Sequence, residues 1–134
     1  ALPLYACGGW YENRSEIWYT SLVAGTFSPL IGHGFGNMET AIHQASIILN
    51  NNIQYQVVDS SHNIFLDFWV QGGFLGALEL VILIIFIVRN FLQRGQLKEL
   101  LIILGLLTTL SFNPVSVSLL IAFWWVLGQG LRKV

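Results

Sequence analysis

Residues 60–88 read SSHNIFLDFWVQGGFLGALELVILIIFIV, and this stretch decides the fold class. From Phe68 to Val88 it holds one ionisable residue, Glu79. As a helix, residues 68–88 would run about 32 Å, enough to cross the hydrocarbon core of a bilayer. Ser60 or Ser61 is placed to cap a helix starting near His62 and ending near Val88, its first turns projecting from the hydrocarbon. Gly72 and Gly76 form a GxxxG pair with Gly73 beside it, a pattern that lets another helix approach closely.

The whole chain carries the same signature. Its 134 residues are 54% hydrophobic and 10% charged, with mean hydropathy +0.66. Soluble domains carry about 25% charged residues, so the composition excludes a soluble globular enzyme. Six basic against seven acidic residues leave a formal charge of −1, with no basic stripe to hold nucleic acid. The single cysteine, Cys7, excludes an internal disulfide framework and a CxxC zinc cluster. The reading is an all-α, polytopic helical membrane protein. The opening ALPLYACGGWYENR has no basic n-region and no long apolar core. Two or three spans make a poor core alone, so we expect a C-terminal piece whose N-terminal transmembrane helices lie elsewhere.

Working outward from the apolar run, residues 1–61 read as an ordered extramembrane loop with short helices, and 62–134 as the membrane region. In the loop, Asn13 and Glu16 resemble a capping box. The spacing of Ile17, Trp18 and Leu22 predicts an amphipathic helix over about 14–24, ended by Gly25. FSPLIGHGFGN (27–37) demands a turn-rich path. Asn37 is placed to cap a helix over 38–49, which Asn50–Asn51–Asn52 stops, and 53–59 look extended. After the long helix come a polar loop, 89–98, and the uncharged stretch 100–128. That stretch is either one span kinked at Asn113–Pro114 or a hairpin of short helices within 99–129. Arg89, Arg94 and Lys98 mark 89–98 as cytoplasmic and leave 1–61 on the outer face. The same rule favours the hairpin, which returns Arg132 and Lys133 to the cytoplasm.

Few polar residues remain for chemistry. His62 sits at the outer start of the long helix, where free backbone amides concentrate positive potential and make an anion site. A neutral imidazole there can accept a proton, which suits chemistry on a phosphate-linked substrate; alternatively His62 and Asn63 only cap the helix. Arg14, the only Arg or Lys in the first 88 residues, suits bidentate capture of phosphate, or anchors the loop at the lipid surface. Trp18 is an interfacial aromatic or a sugar platform. Gly32, Gly34 and Gly36 make a tight loop with room for a ligand or a neighbouring backbone, but they match no nucleotide motif. His33, His43 and His62 have no metal-binding spacing, so no metal is expected. Glu79, near mid-membrane, is costly there unless protonated or paired, and Asp67 lies near the outer interface.

As an ordered set these residues resemble the O-antigen ligase and polymerase family. NRSEIWYTSLVAGTFSPLIGHGFGN is similar to that family's R-x-x-x-W … P-x-x-G-x-G-x-x-N segment, and SSHNIFLDFWVQGGFLGALEL to its H-N-x-x-L … G-x-x-G segment. Arg14, Trp18, Gly32, Gly34, Gly36, Asn37, His62, Asn63, Gly73 and Gly76 match in order and spacing. The resemblance implies a polytopic glycosyltransferase of the bacterial inner membrane. Such enzymes take a glycan from undecaprenyl diphosphate on the outer face and pass it to lipid A–core, a growing polysaccharide or a protein, with no cofactor or metal. It implies that Arg14 binds the diphosphate, that His62 is the base for the acceptor hydroxyl or helps hold the diphosphate, and that Asn63 orients His62 or a phosphate oxygen. The competing reading is a non-catalytic segment of a flippase, channel or assembly scaffold. A conduit needs a polar stripe through its spans, and only Glu79 interrupts these.

Overall fold

The structure, a computed structural model, describes residues 14–113 and 117–131. Those residues form five α-helices: α1 (Arg14–Thr26), α2 (Met38–Leu49), α3 (Ile64–Gln93), α4 (Leu97–Phe112) and α5 (Val117–Leu131). A 3-10 turn, Asn52–Tyr55, lies between α2 and α3, where an extended segment was expected. The fold is all-α. The expected features at Cys7, Asn13, Pro114, Arg132 and Lys133 lie outside the described residues.

Two apolar cores divide the molecule. The first joins α1 and α2 through Ile17, Ala24, Ala41, Ile42 and Ala45, with Ile53 and Val70 completing it. Small residues line the α1–α2 seam, so the buried hydroxyls need partners close by. Thr20 Oγ1 and Ser21 Oγ donate to the carbonyls of Glu16 and Ile17, at 2.7 and 2.8 Å, and Thr20 Oγ1 also accepts from Asn51 Nδ2 at 2.7 Å, which ties α1 to the end of α2. Asn50 ends α2 in the left-handed conformation. Asn37 stands at its start, but the Asn37 side chain donates to the His33 carbonyl instead of capping.

The second core packs α3, α4 and α5 through Leu80, Ile87, Phe91, Leu100, Ile103, Leu110, Phe123 and Leu127. Leu120 and Trp124 of α5 face Ile64 and Phe68 of α3, while Gly130 at the far end of α5 accepts from Asn90 and Arg94. Helix α5 therefore runs alongside α3 in the same direction, with α4 returning between them. The segment after α3 forms two helices of 16 and 15 residues, about 24 and 22 Å long. Helix α3 runs past Val88 to Gln93, so the polar loop expected over 89–98 shrinks to a turn at 94–96.

Helix α3 is not continuous. Gly73 has φ 63° and ψ −158°, which breaks it into Ile64–Gly72 and a second segment ending at Gln93. A break in an apolar helix frees backbone groups that must find partners. The 29–34 loop supplies them on both sides. His33 and Gly34 amides donate to the Val70 and Gln71 carbonyls at 2.9 Å, and Phe74 and Leu75 amides donate to Pro29 and Leu30 carbonyls at 2.7 and 3.2 Å. A Cβ on Gly32 would overlap Gln71 and Gly73, and one on Gly73 would overlap Gly32 and Leu30. Gly73 makes the close approach, to a loop, whereas a Cβ on Gly72 would meet open space among the described residues. The segment from Phe74 to Gln93 is about 30 Å long, sufficient to cross a bilayer by itself.

Candidate functional site

The long helix begins at Ile64, two residues later than expected, because Asn63 and neither serine is its cap. Asn63 Oδ1 accepts the amides of Phe65 and Leu66, at 3.0 and 3.4 Å. With its oxygen given to the cap, a ligand role for Asn63 falls to the Nδ2 amide. Ser60 and Ser61 instead build the turn that delivers the chain into α3. Both hydroxyls donate to the Asp67 carboxylate, and the Ser61 amide joins them. His62 stands between this turn and the cap at φ 57°, half-buried, in a conformation that side chains other than Asn, Asp and His rarely adopt.

Arg14 and Trp18 come together on a different element. Arg14 Nη1 donates to the Phe112 carbonyl at 2.8 Å, and the Trp18 ring lies 6.0 Å from the Phe112 ring. The guanidinium thereby meets the negative end of α4. This contact uses one of its five N–H donors and leaves the group exposed. Trp18 is half-buried, with its indole N–H given no acceptor among the described residues. Its ring packs at a tilt against Phe112 and keeps part of its surface open.

The glycines serve the break in α3. Gly32 and Gly34 lie in the loop that bridges it, and the Gly36 amide faces Gln71 Oε1 at 3.3 Å. Of the two uses expected for this loop, close approach of a neighbouring backbone is realised at Gly32. His33 Nε2 lies 2.9 Å from the Ala24 carbonyl, so that nitrogen carries the proton and ties the loop to α1. Gly25, expected to end α1, sits inside its last turn, where a Cβ would overlap the Trp69 indole; that indole donates to the Leu22 carbonyl.

A cleft of about 300 Å³ opens between the glycine loop, the first segment of α3 and α5. Phe35 from the glycine loop, Ile64, Asp67, Phe68 and Gln71 from the first segment of α3, and Leu120 and Trp124 from α5 line it. Three aromatic rings with one carboxylate and one carboxamide make an amphipathic wall. Asp67 links the cleft to the turn that carries His62. Reasoning from sequence placed Asp67 near the site without a role, and it missed Gln71, Phe112 and Trp124. The two serines seven and six residues ahead of Asp67 were the available signal for the turn. Among the described residues no cluster of His, Cys, Asp and Glu could hold a metal ion.

A family model described as O-antigen ligase matches residues 7–81, more than half of the chain, from before Arg14 to beyond the break in α3. The chain belongs to the O-antigen ligase family. That family transfers glycans, in agreement with the resemblance drawn from the motifs. The chain is also similar to the ComP-specific O-oligosaccharyltransferase of Acinetobacter baylyi, with 36% identity over 74 residues. The match covers 55% of this chain and 13% of that relative, so the chain spans about an eighth of its length. No solved structure gives a significant match.

Proposed function

We propose that the whole protein transfers a glycan from undecaprenyl diphosphate to an acceptor hydroxyl on the outer face of the bacterial inner membrane. The observation that carries this reading is the family match, which runs through Arg14, His62 and both sides of the loop-bridged break in α3. Residues 1–61 and the first segment of α3 lie on the outer face, and the remaining helices, with others beyond this chain, lie in the membrane. The acceptor oxygen forms the new bond to the sugar's anomeric carbon as the bond to the diphosphate oxygen breaks. His62 takes the acceptor's proton, and the diphosphate leaves with the electron pair. Arg14 offers its free N–H donors to that departing charge; fixed donors of this kind supply the largest catalytic contribution in many enzymes. A positioned base adds about 10²–10⁴ in rate. Asn63 Nδ2 holds a phosphate oxygen or the imidazole, and no metal takes part in the step.

Among possible acceptors, a protein hydroxyl is favoured by the likeness to the Acinetobacter relative, whose name describes a ComP-specific O-oligosaccharyltransferase. The cleft beside Asp67 is large enough for one or two sugar rings and lies next to the turn bearing His62.

Cells producing the full-length protein as His62→Asn or Arg14→Gln provide the test. Asparagine accepts the left-handed backbone of His62, so the first variant removes the imidazole without adding strain. Both variants should reach the membrane at normal levels and fail to glycosylate the acceptor. Normal glycosylation by both would overturn the reading.

A further inference from the structure

The geometry points to Asp67 as the residue that positions His62, and this inference rests on the proposed role of His62. Among the described residues, only Asn50 and His62 hold positive φ without being glycine. Asn50 is explained by its place at the end of α2. His62 needs another cause, since a left-handed backbone at a residue with a Cβ is unfavourable unless its surroundings impose it.

Asp67 imposes it from one turn inside α3. It is 9% exposed and spends both oxygens on the segment before His62. Oδ1 accepts the Ser61 amide at 2.8 Å and the Ser61 hydroxyl at 2.6 Å, while Oδ2 accepts the Ser60 hydroxyl at 2.9 Å. Ser61 Oγ also lies 2.9 Å from the Asn63 carbonyl, but its single proton goes to the shorter contact with the carboxylate. The two hydroxyls then act as acceptors on their other side. Ser60 Oγ receives the His62 amide at 3.1 Å, and Ser61 Oγ receives the Asn63 amide at 3.2 Å. The peptide groups entering and leaving His62 are therefore both held by serine oxygens whose protons point to the same carboxylate. With these two peptide planes fixed, the direction of the His62 Cα–Cβ bond is fixed too. A base must sit within hydrogen-bond reach of the proton it takes, and Asp67 sets that reach without itself needing to touch the acceptor.

Kinetics on the full-length protein with a polyprenyl-diphosphate-linked oligosaccharide test this. Asp67→Ala should lower kcat about 10²-fold, the scale of a misplacement near 1 Å, and leave KM for the donor within about twofold. Asp67→Asn keeps an oxygen for the Ser61 amide and hydroxyl, and Ser60 can turn to accept its amide. It should restore most of kcat. Ser60→Ala, which removes the contacts to the His62 amide and to Asp67 Oδ2 but leaves both Ser61 contacts to Asp67 in place, should give an intermediate fall in kcat. His62→Asn is the control. If it abolishes transfer while folded Asp67→Ala and Ser60→Ala keep wild-type kcat, the positioning role is overturned and the reading of His62 stands. If Asp67→Asn is as impaired as Asp67→Ala, the charge and not the hydrogen-bond geometry matters, which also overturns it. If His62→Asn retains full activity, the underlying reading fails and takes this inference with it.

Discussion

At Gly32 and Gly73 two backbones meet with no room for a side chain on either. Both glycines have positive φ, 67° and 63°, so an alanine there suffers twice: the conformation costs about 1–2 kcal/mol and the overlap about 1–3 kcal/mol more. Gly36 has φ 88° but open space around its Cβ position, so alanine there bears only the conformational cost. Thermal unfolding in detergent should rank Gly73→Ala and Gly32→Ala well below Gly36→Ala, and equal losses would contradict the loop-bridged break. Asn63 separates stability from chemistry in a similar way. Asn63→Asp keeps the cap and adds a negative charge at a helix start, which favours the helix by about 0.3–1 kcal/mol. It loses the Nδ2 donors and places that charge where the diphosphate is proposed to lie. Transfer should fall while the melting temperature holds or rises; unchanged transfer would remove Asn63 from the site.

The helices themselves were largely readable from local chemistry. Asn37 and the Asn50–Asn52 run bracket α2, and the apolar run after Phe68 announces α3, because starts, stops and periodicity are written within a few residues of where they act. The break in α3 was not readable in this way. Gly72–Gly73 inside an apolar run is equally compatible with a continuous helix, and what decides is the 29–34 loop, some forty positions earlier, offering two amides and two carbonyls at matching heights. For the same reason the sequence nominated His62 and Arg14 as site residues but left Asp67 without a task, since its partners become visible only when the turn at 60–63 folds back on it. Hydrogen exchange offers a check on the element. The Phe74 and Leu75 amides, which would be free at an unbridged helix start, should be protected as well as their neighbours within the second segment. Fast exchange at both positions would show that the loop does not bridge the gap.

For the molecule as a whole there are two cores: a small-residue layer built by α1, α2 and the first segment of α3, and an apolar bundle built by α3 with α4 and α5, to which Ile64 and Phe68 of that first segment also contribute. The basic side chains Arg89, Arg94 and Lys98 collect at the bundle end remote from His62, which sets the proposed orientation. In a cysteine-free background of the full-length protein, Gln56→Cys should react with a membrane-impermeant thiol reagent in intact spheroplasts, and Lys98→Cys only after lysis; both positions are exposed in the fold. The reverse pattern would invert the topology and remove His62 from the outer face. Glu79 faces outward among Leu75, Leu78, Ile82, Leu83 and Phe86, a placement where an ionised carboxylate needs a polar neighbour once the helix is in lipid. The central claim is that this chain supplies the base and the cationic donor for metal-free glycan transfer. It is tested most directly with the purified full-length protein, a polyprenyl-diphosphate-linked oligosaccharide and an acceptor protein, assayed in EDTA. We predict that transfer proceeds for the wild type in EDTA and is lost in His62→Asn and Arg14→Gln. Transfer by His62→Asn at the wild-type rate would contradict the account.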